Sequence, residues 1–155
     1  MRREDRPHVI LAAPENVDVK DIDALTRAFT RLEAAVSKFR DDIFFHSDKF
    51  EAVCRRATHF LLLLGNSEFR GEKQMLTVAA KSRIETIGMV CLGSCDALKR
   101  HQSLFTRGRI DLVVTRSYLD NGRTSRVLGM HVGHSVVAES IVDSARLIAE
   151  SVLHS

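Results

Sequence analysis

Apolar residues fall in six short, mostly continuous runs along the chain: His8–Ala13, Ile43–His46, His59–Leu64, Thr86–Leu92, Ile110–Val114 and Arg126–Met130. Continuous runs of this length suit strands buried on both faces, as in a parallel sheet, better than the alternation of a half-exposed antiparallel one. Between them the apolar spacing changes to three or four. The clearest stripe is Val19, Ile22, Leu25, Phe29, Leu32, Val36 and Phe39, which predicts one long helix with Asp18 as its N-cap. Shorter helices are predicted around Phe50, Val53, Cys54 and Ala57, around Met75, Leu76, Val78 and Ala79, and around Ala97, Leu98, His101, Leu104 and Phe105. The last is expected from about Ser135 to Leu153.

Strand and helix alternate from end to end, the pattern of βαβ units with right-handed crossovers. The expected fold is three-layer α/β, with a mainly parallel sheet of about five or six strands flanked by helices, Rossmann-like or flavodoxin-like. With 155 residues, 45% of them hydrophobic, the chain reads as a single domain with one sizeable core. No apolar stretch approaches the length of a membrane span, and residues 1–6 lack the apolar region of a secretory signal. Three cysteines, an odd and sparse number, suit reduced thiols in a cytoplasmic setting.

Net charge is only +3, yet arginine outnumbers lysine 17 to six. Its planar fork suits phosphate and carboxylate recognition. From Lys99 to Arg126 seven basic residues face only Asp111 and Asp120. This stretch reads either as a solvated basic surface or as a nucleic-acid contact through Arg100, Arg107, Arg109, Arg116, Arg123 and Arg126.

In open α/β sheets ligands bind beyond the carboxyl ends of the strands. Gly65, Gly71, Gly93, Gly122, Gly129 and Gly133 are expected in or beside those loops, with Asn16, His46, Asp48, Asn66, Glu68, Arg70, Arg116, His131 and His134. The segment Gly65–Gly71 leads from the most hydrophobic strand into a helix, where backbone amides could face an anion or an adenosine. It is neither a Walker loop nor a dinucleotide fingerprint, since Glu72 and Lys73 follow Gly71. Cys91, Cys95 and His101 have the ligand types of a zinc site but lack a fourth. Cys91 is expected to point into the core, and no metal is expected. No hydrolytic triad, paired carboxylates or HExxH helix stands out.

Three segments together resemble the SPOUT class of knotted RNA methyltransferases. Val9–Asn16 leading to Arg27 is similar to the opening strand and catalytic arginine of the ribose-methylating branch. Gly65–Gly71 is similar to its G-N-E-x-x-G cofactor loop with one extra residue, and Arg126–Ile141 to the segment that tucks through the knot. A pseudouridine-methylating branch is echoed by Gly71–Leu76, Lys81–Ile84 and Val137–Ser140. Asp21, His134 and Val136 depart from the family's residues.

The resemblance implies S-adenosylmethionine held at Gly65, Asn66, Glu68, Gly71, Gly129, Gly133 and His134, and Arg27 acting on a target hydroxyl. It also implies RNA along the basic stretch and a homodimer through the last helix. Two other readings stand beside it. One is a Rossmann-like or flavodoxin-like module for a nucleotide or other small ligand; the other is a non-catalytic assembly protein on the same scaffold.

Overall fold

The computed structural model describes residues 6–40, 47–120 and 132–155. Six strands form one parallel sheet: β1 (His8–Ala13), β2 (Ala35–Arg40), β3 (His59–Leu64), β4 (Thr86–Cys91), β5 (Leu112–Thr115) and β6 (His134–Val137), in the order β2-β1-β3-β4-β5-β6. The helices are α1 (Val19–Arg31), α2 (Ser47–Cys54), α3 (Glu72–Lys81), α4 (Gln102–Thr106), which continues a 3-10 helix over Cys95–His101, and α5 (Ile141–Leu153). The order 2-1-3-4-5 is that of flavodoxin-like sheets, and here a sixth strand extends it at one edge.

β3 shows why the sheet is central. Its six residues are all buried, and the pleat sends Phe60, Leu62 and Leu64 to one face and Leu61 and Leu63 to the other. The first set packs with α2, α3 and the 95–106 helices through residues such as Phe50, Met75, Leu76 and Leu98. The second set meets α1 and α5 through Leu25, Phe29, Ile148 and Val152. Each such side chain contributes about 1.5–3 kcal/mol by leaving water. These two helix layers with the sheet between them make the three-layer architecture that the apolar runs predict.

Two expected elements differ. The stripe from Val19 does not continue as a helix to Phe39; α1 ends at Arg31. Glu33 adopts a left-handed conformation (φ 65°), its N–H bonds the Thr30 carbonyl, and the Ala34 N–H bonds the Phe29 carbonyl. That bond pair is a Schellman stop, ordinarily built on glycine. Val36 and Phe39 then lie in β2, opposite Val9 and Ala12 of β1. A spacing of three fits either element, and pairing with β1 decides it. Phe39 meets Phe50 edge to face, with ring centroids 5.1 Å apart.

The last helix begins at Ile141 instead of Ser135, because His134–Val137 pair with Leu112–Thr115 as the edge strand β6. Ser140 caps α5, its hydroxyl accepting from the Asp143 N–H. The runs Ile43–His46 and Arg126–Met130 fall on residues 41–46 and 121–131, outside the described residues, as does most of the connection through which a knotted chain would thread its last helix.

Candidate functional site

The sheet order reverses between β1 and β3: the chain winds from β1 outward to β2, then back past β1 to β3 and onward. Beyond the carboxyl ends of the strands a crevice of about 470 Å³ opens at this reversal. Its walls are the β1–α1 loop with Asn16, Asp18 and Asp21, the β3–α3 loop with Gly65 and Asn66, the end of β4 through Gly93, Arg116 after β5, and Ala138–Ile141 before α5. Gly93 leaves the space into which Asn66 packs; a side chain there would overlap the Asn66 amide. A larger depression, about 910 Å³, lies beside β2. Arg40 and Lys49 border it, on either side of residues 41–46.

Arginines tie the crevice walls together from within. At the end of β2, Arg40 Nη2 donates to the carbonyls of Pro14 (3.3 Å), Glu15 (2.5 Å) and Val17 (2.7 Å), which fixes the β1–α1 loop. Arg116 spans the other side, donating to the Leu92 carbonyl (3.2 Å) and the Glu139 carbonyl (3.5 Å). Arg100 holds the β3–α3 loop through the Gly65 (3.1 Å) and Asn66 (3.3 Å) carbonyls.

Arg100 is held in turn by Glu72, the first residue of α3 and fully buried. Glu72 accepts from Arg100 Nε (3.1 Å) and Nη2 (3.2 Å) and contacts His101 Nε2 at 2.8 Å. Burial alone would raise the Glu72 pKa, but the bonds from His101 and Arg100, with the arginine's charge, outweigh it and hold the carboxyl below its ordinary value. Gly71 precedes it at φ 87°, a turn that glycine makes without strain.

The charge that faces the crevice is therefore mostly negative. Among the described residues, Asp18, Asp21 and Glu139 line it with Arg116 as the single cation. Burial raises the Asp21 pKa, Asp18 adds to the rise, and Arg116 opposes it. Helices α1 and α5 both start here, capped by Asp18 and Ser140. Cys91 lies in the wall, but burial first and Cys95 second push its thiol up to about 12, so it carries no thiolate at neutral pH.

Of the residues singled out at the strand ends, Gly65, Gly93, Asn16, Asn66 and Arg116 meet at this crevice. Glu68 is exposed on the β3–α3 loop, and Gly71 caps α3. Gly133 and His134 sit at the opposite rim, which separates them from Gly65. Gly133 lies against the Asp111 backbone, where a Cβ would stand 2.8 Å from the Asp111 carbonyl oxygen, and His134 opens β6 beside Leu112. The expectation that all the glycine loops follow strands fails there because residues 134–137 form a strand, which turns the preceding loop to the amino end.

Arg27 lines a groove between α1 and α5 and is not part of the crevice wall. The basic stretch divides likewise. Arg109 donates to the Ile84 carbonyl and approaches Asp111 at the amino ends of β4 and β5, Arg116 stands at the carboxyl ends, and Arg107 is exposed after α4. Gly122, Arg123, Arg126, Gly129 and His131 lie outside the described residues. His101 turns to Glu72, away from any pairing with Cys91 and Cys95, and among the described residues no three metal-ligand side chains gather.

Sequence reasoning missed Asp21 and Glu139 as wall residues, read Asp18 only as a cap, and gave Ser140 as the end of the Val137–Ser140 resemblance. The signal was their position directly after β1 and before α5. Glu72 had no such signal, because its partners lie 28 and 29 residues away.

No protein-family model matches the chain, and no curated protein matches it. Among solved structures, a diflavin flavoprotein A3 from Nostoc sp. aligns over 94% of this chain and 88% of its own, at 10% identity and a TM-score of 0.49. An ornithine transcarbamoylase from Giardia lamblia aligns over 95% of this chain at 15% identity and a TM-score of 0.37, and the chain spans 54% of its length. The fold rests on the strand order itself: a six-stranded, all-parallel, flavodoxin-like sheet between helix layers. Among the described residues no helix is long and apolar enough to cross a membrane.

Proposed function

We propose that the chain is a small-molecule-binding module whose ligand occupies the switch-point crevice and is a nucleoside or a related uncharged or cationic compound. The observation that carries this reading is the composition of the wall among the described residues: three carboxylates, two carboxamides and one guanidinium that donates to two carbonyls. Helix N-termini alone would attract phosphate. Carboxylates beside them oppose it, while they accept well from ribose hydroxyls. The amides of Asn16 and Asn66 suit the edge of a base.

Methyl transfer from S-adenosylmethionine to RNA is a narrower form of the same reading. What favours it is again the carboxylate wall, which suits a sulfonium cation. Arg27 lines the α1–α5 groove and is not among the crevice-wall residues, so this reading rests on the wall alone.

A thermal-shift series with adenosine, S-adenosylmethionine, AMP and ADP at matched concentrations tests both. The expected result is stabilisation that grows with adenosine or S-adenosylmethionine, reaching about 2.7 kcal/mol at a hundred times the dissociation constant. Weaker shifts are expected from the phosphorylated compounds. A flat response to all four would sink the proposal, and a larger response to ADP than to adenosine would reverse the charge argument.

A further inference from the structure

Helices α1 and α5 lie side by side on one face of the sheet. The groove between them, about 400 Å³, is independent of the strand-end crevice. Its floor is small and apolar: Ala24, Ala28 and Ala145 are buried there, with Leu32 half-buried. Its rim is cationic. Arg27 and Arg31 stand four apart on α1, and Arg146 stands on α5, with Asp143 as the one carboxylate among the described residues that line it.

Ala24, Arg27, Ala28 and Arg31 recur at helical spacing, so one face of α1 presents the floor and the cations together. Neither Arg27 nor Arg31 forms an ion pair among the described residues. Arg146 pairs only with Glu150, four residues on, and at 82% side-chain exposure that pair contributes little. Val142, 48% exposed, adds an apolar edge.

We infer that this groove is a docking site for a short acidic amphipathic helix of a partner protein. The partner's leucine-sized apolar side chains would enter over the alanines while its carboxylates reach Arg27, Arg31 and Arg146. Charge complementarity selects this occupant. A second copy of the chain would set arginine against arginine in a two-fold pairing, on a molecule whose net charge is already +3. A nucleic acid would meet the rim but leave the alanine floor uncovered. The face from Ala24 to Arg31 spans about 10 Å at 1.5 Å per residue, the length of two helical turns.

The test uses the full chain and fluorescence anisotropy. The probe is a labelled 15-residue helical peptide with leucine at every third or fourth position, flanked by glutamate. A lysine-flanked counterpart and a single-stranded RNA oligomer serve as rivals, and sedimentation velocity gives the oligomeric state. The acidic peptide is expected to bind, to weaken as salt rises, and to lose about tenfold or more in affinity in the R27E/R31E variant. Arg146→Glu serves as a second variant on the other helix.

Both variants should keep the wild-type thermal midpoint within a few degrees, since all three arginines are exposed. Absence of binding by the acidic peptide overturns the inference. So does equal binding of the lysine peptide, tighter binding of RNA, affinity indifferent to both variants, or a dimer that the variants dissociate.

Discussion

The crevice and the α1–α5 groove use the same side chain in opposite ways. At the crevice Arg40 and Arg116 donate to backbone carbonyls and Arg100 to carbonyls and to Glu72, so among the described residues the wall carries three carboxylates against the one guanidinium of Arg116. On the groove Arg27 and Arg31 face outward. An excess of arginine is therefore not one electrostatic statement. What decides a region's sign is where the guanidinium finds its acceptors, and that follows from loop geometry more than from the number of arginines nearby.

The largest effect is expected from Glu72→Ala. It leaves Arg100 and His101 without their shared carboxylate and should cost about 3 kcal/mol of stability, the scale for breaking a buried ion pair. Urea denaturation measures it; a loss below 1 kcal/mol would mean that the β3–α3 loop does not depend on the cluster.

Arg40→Ala comes next. It removes three charged hydrogen bonds from the β1–α1 loop and should cost about 2 kcal/mol. By contrast, Arg27→Ala on the groove should change the unfolding midpoint hardly at all. Equal losses from these two variants would erase the distinction between the two regions.

Asp18→Ala deletes the side chain that accepts from the Lys20 N–H at 2.9 Å, and calls for about 1 kcal/mol. If the crevice is as negative as proposed, part of that loss should be recovered at neutral pH through relief of Asp21, which Asp18 opposes. An Asp21 titration followed by NMR in the variant checks this, with its midpoint moving down.

The smallest effects are in pH dependence. Burial chiefly lowers the pKa of His59 and of His8, so the unfolded chain takes up protons first as pH falls through about 6.5. Their contribution is complete above that value and is lost below it. Glu72, also depressed, contributes above about 4.5 and loses its contribution below that. Stability should therefore fall in two separate steps on acidification, with His59→Asn shrinking only the upper one. A single step near pH 4 would contradict the histidine assignment.

Much of the fold was legible. β1, β3 and β4 are apolar runs buried along their length, and α3 and α5 keep their spacing. β2 was not legible, because the helix stop before it uses Glu33 in a conformation that glycine usually announces. β6 was missed because two of its four residues are exposed at the sheet edge, which erases the apolar run.

For the site, the strand-end rule located Gly65, Asn66 and Arg116. It could not give the sign of the field. That depends on arginine bonds to carbonyls, which every residue carries, so no residue type marks them. Arg100 shows the limit most plainly: it was grouped with a basic surface, and its partners are a buried glutamate and two backbone oxygens.

The Glu72 cluster also bears on how the molecule opens. Through Arg100 and His101 it joins the start of α3 and the β3–α3 loop to the 3-10 helix in the following crossover. Amides from these segments should exchange with deuterium as one group, at a rate set by a shared opening event instead of by each loop's own exposure.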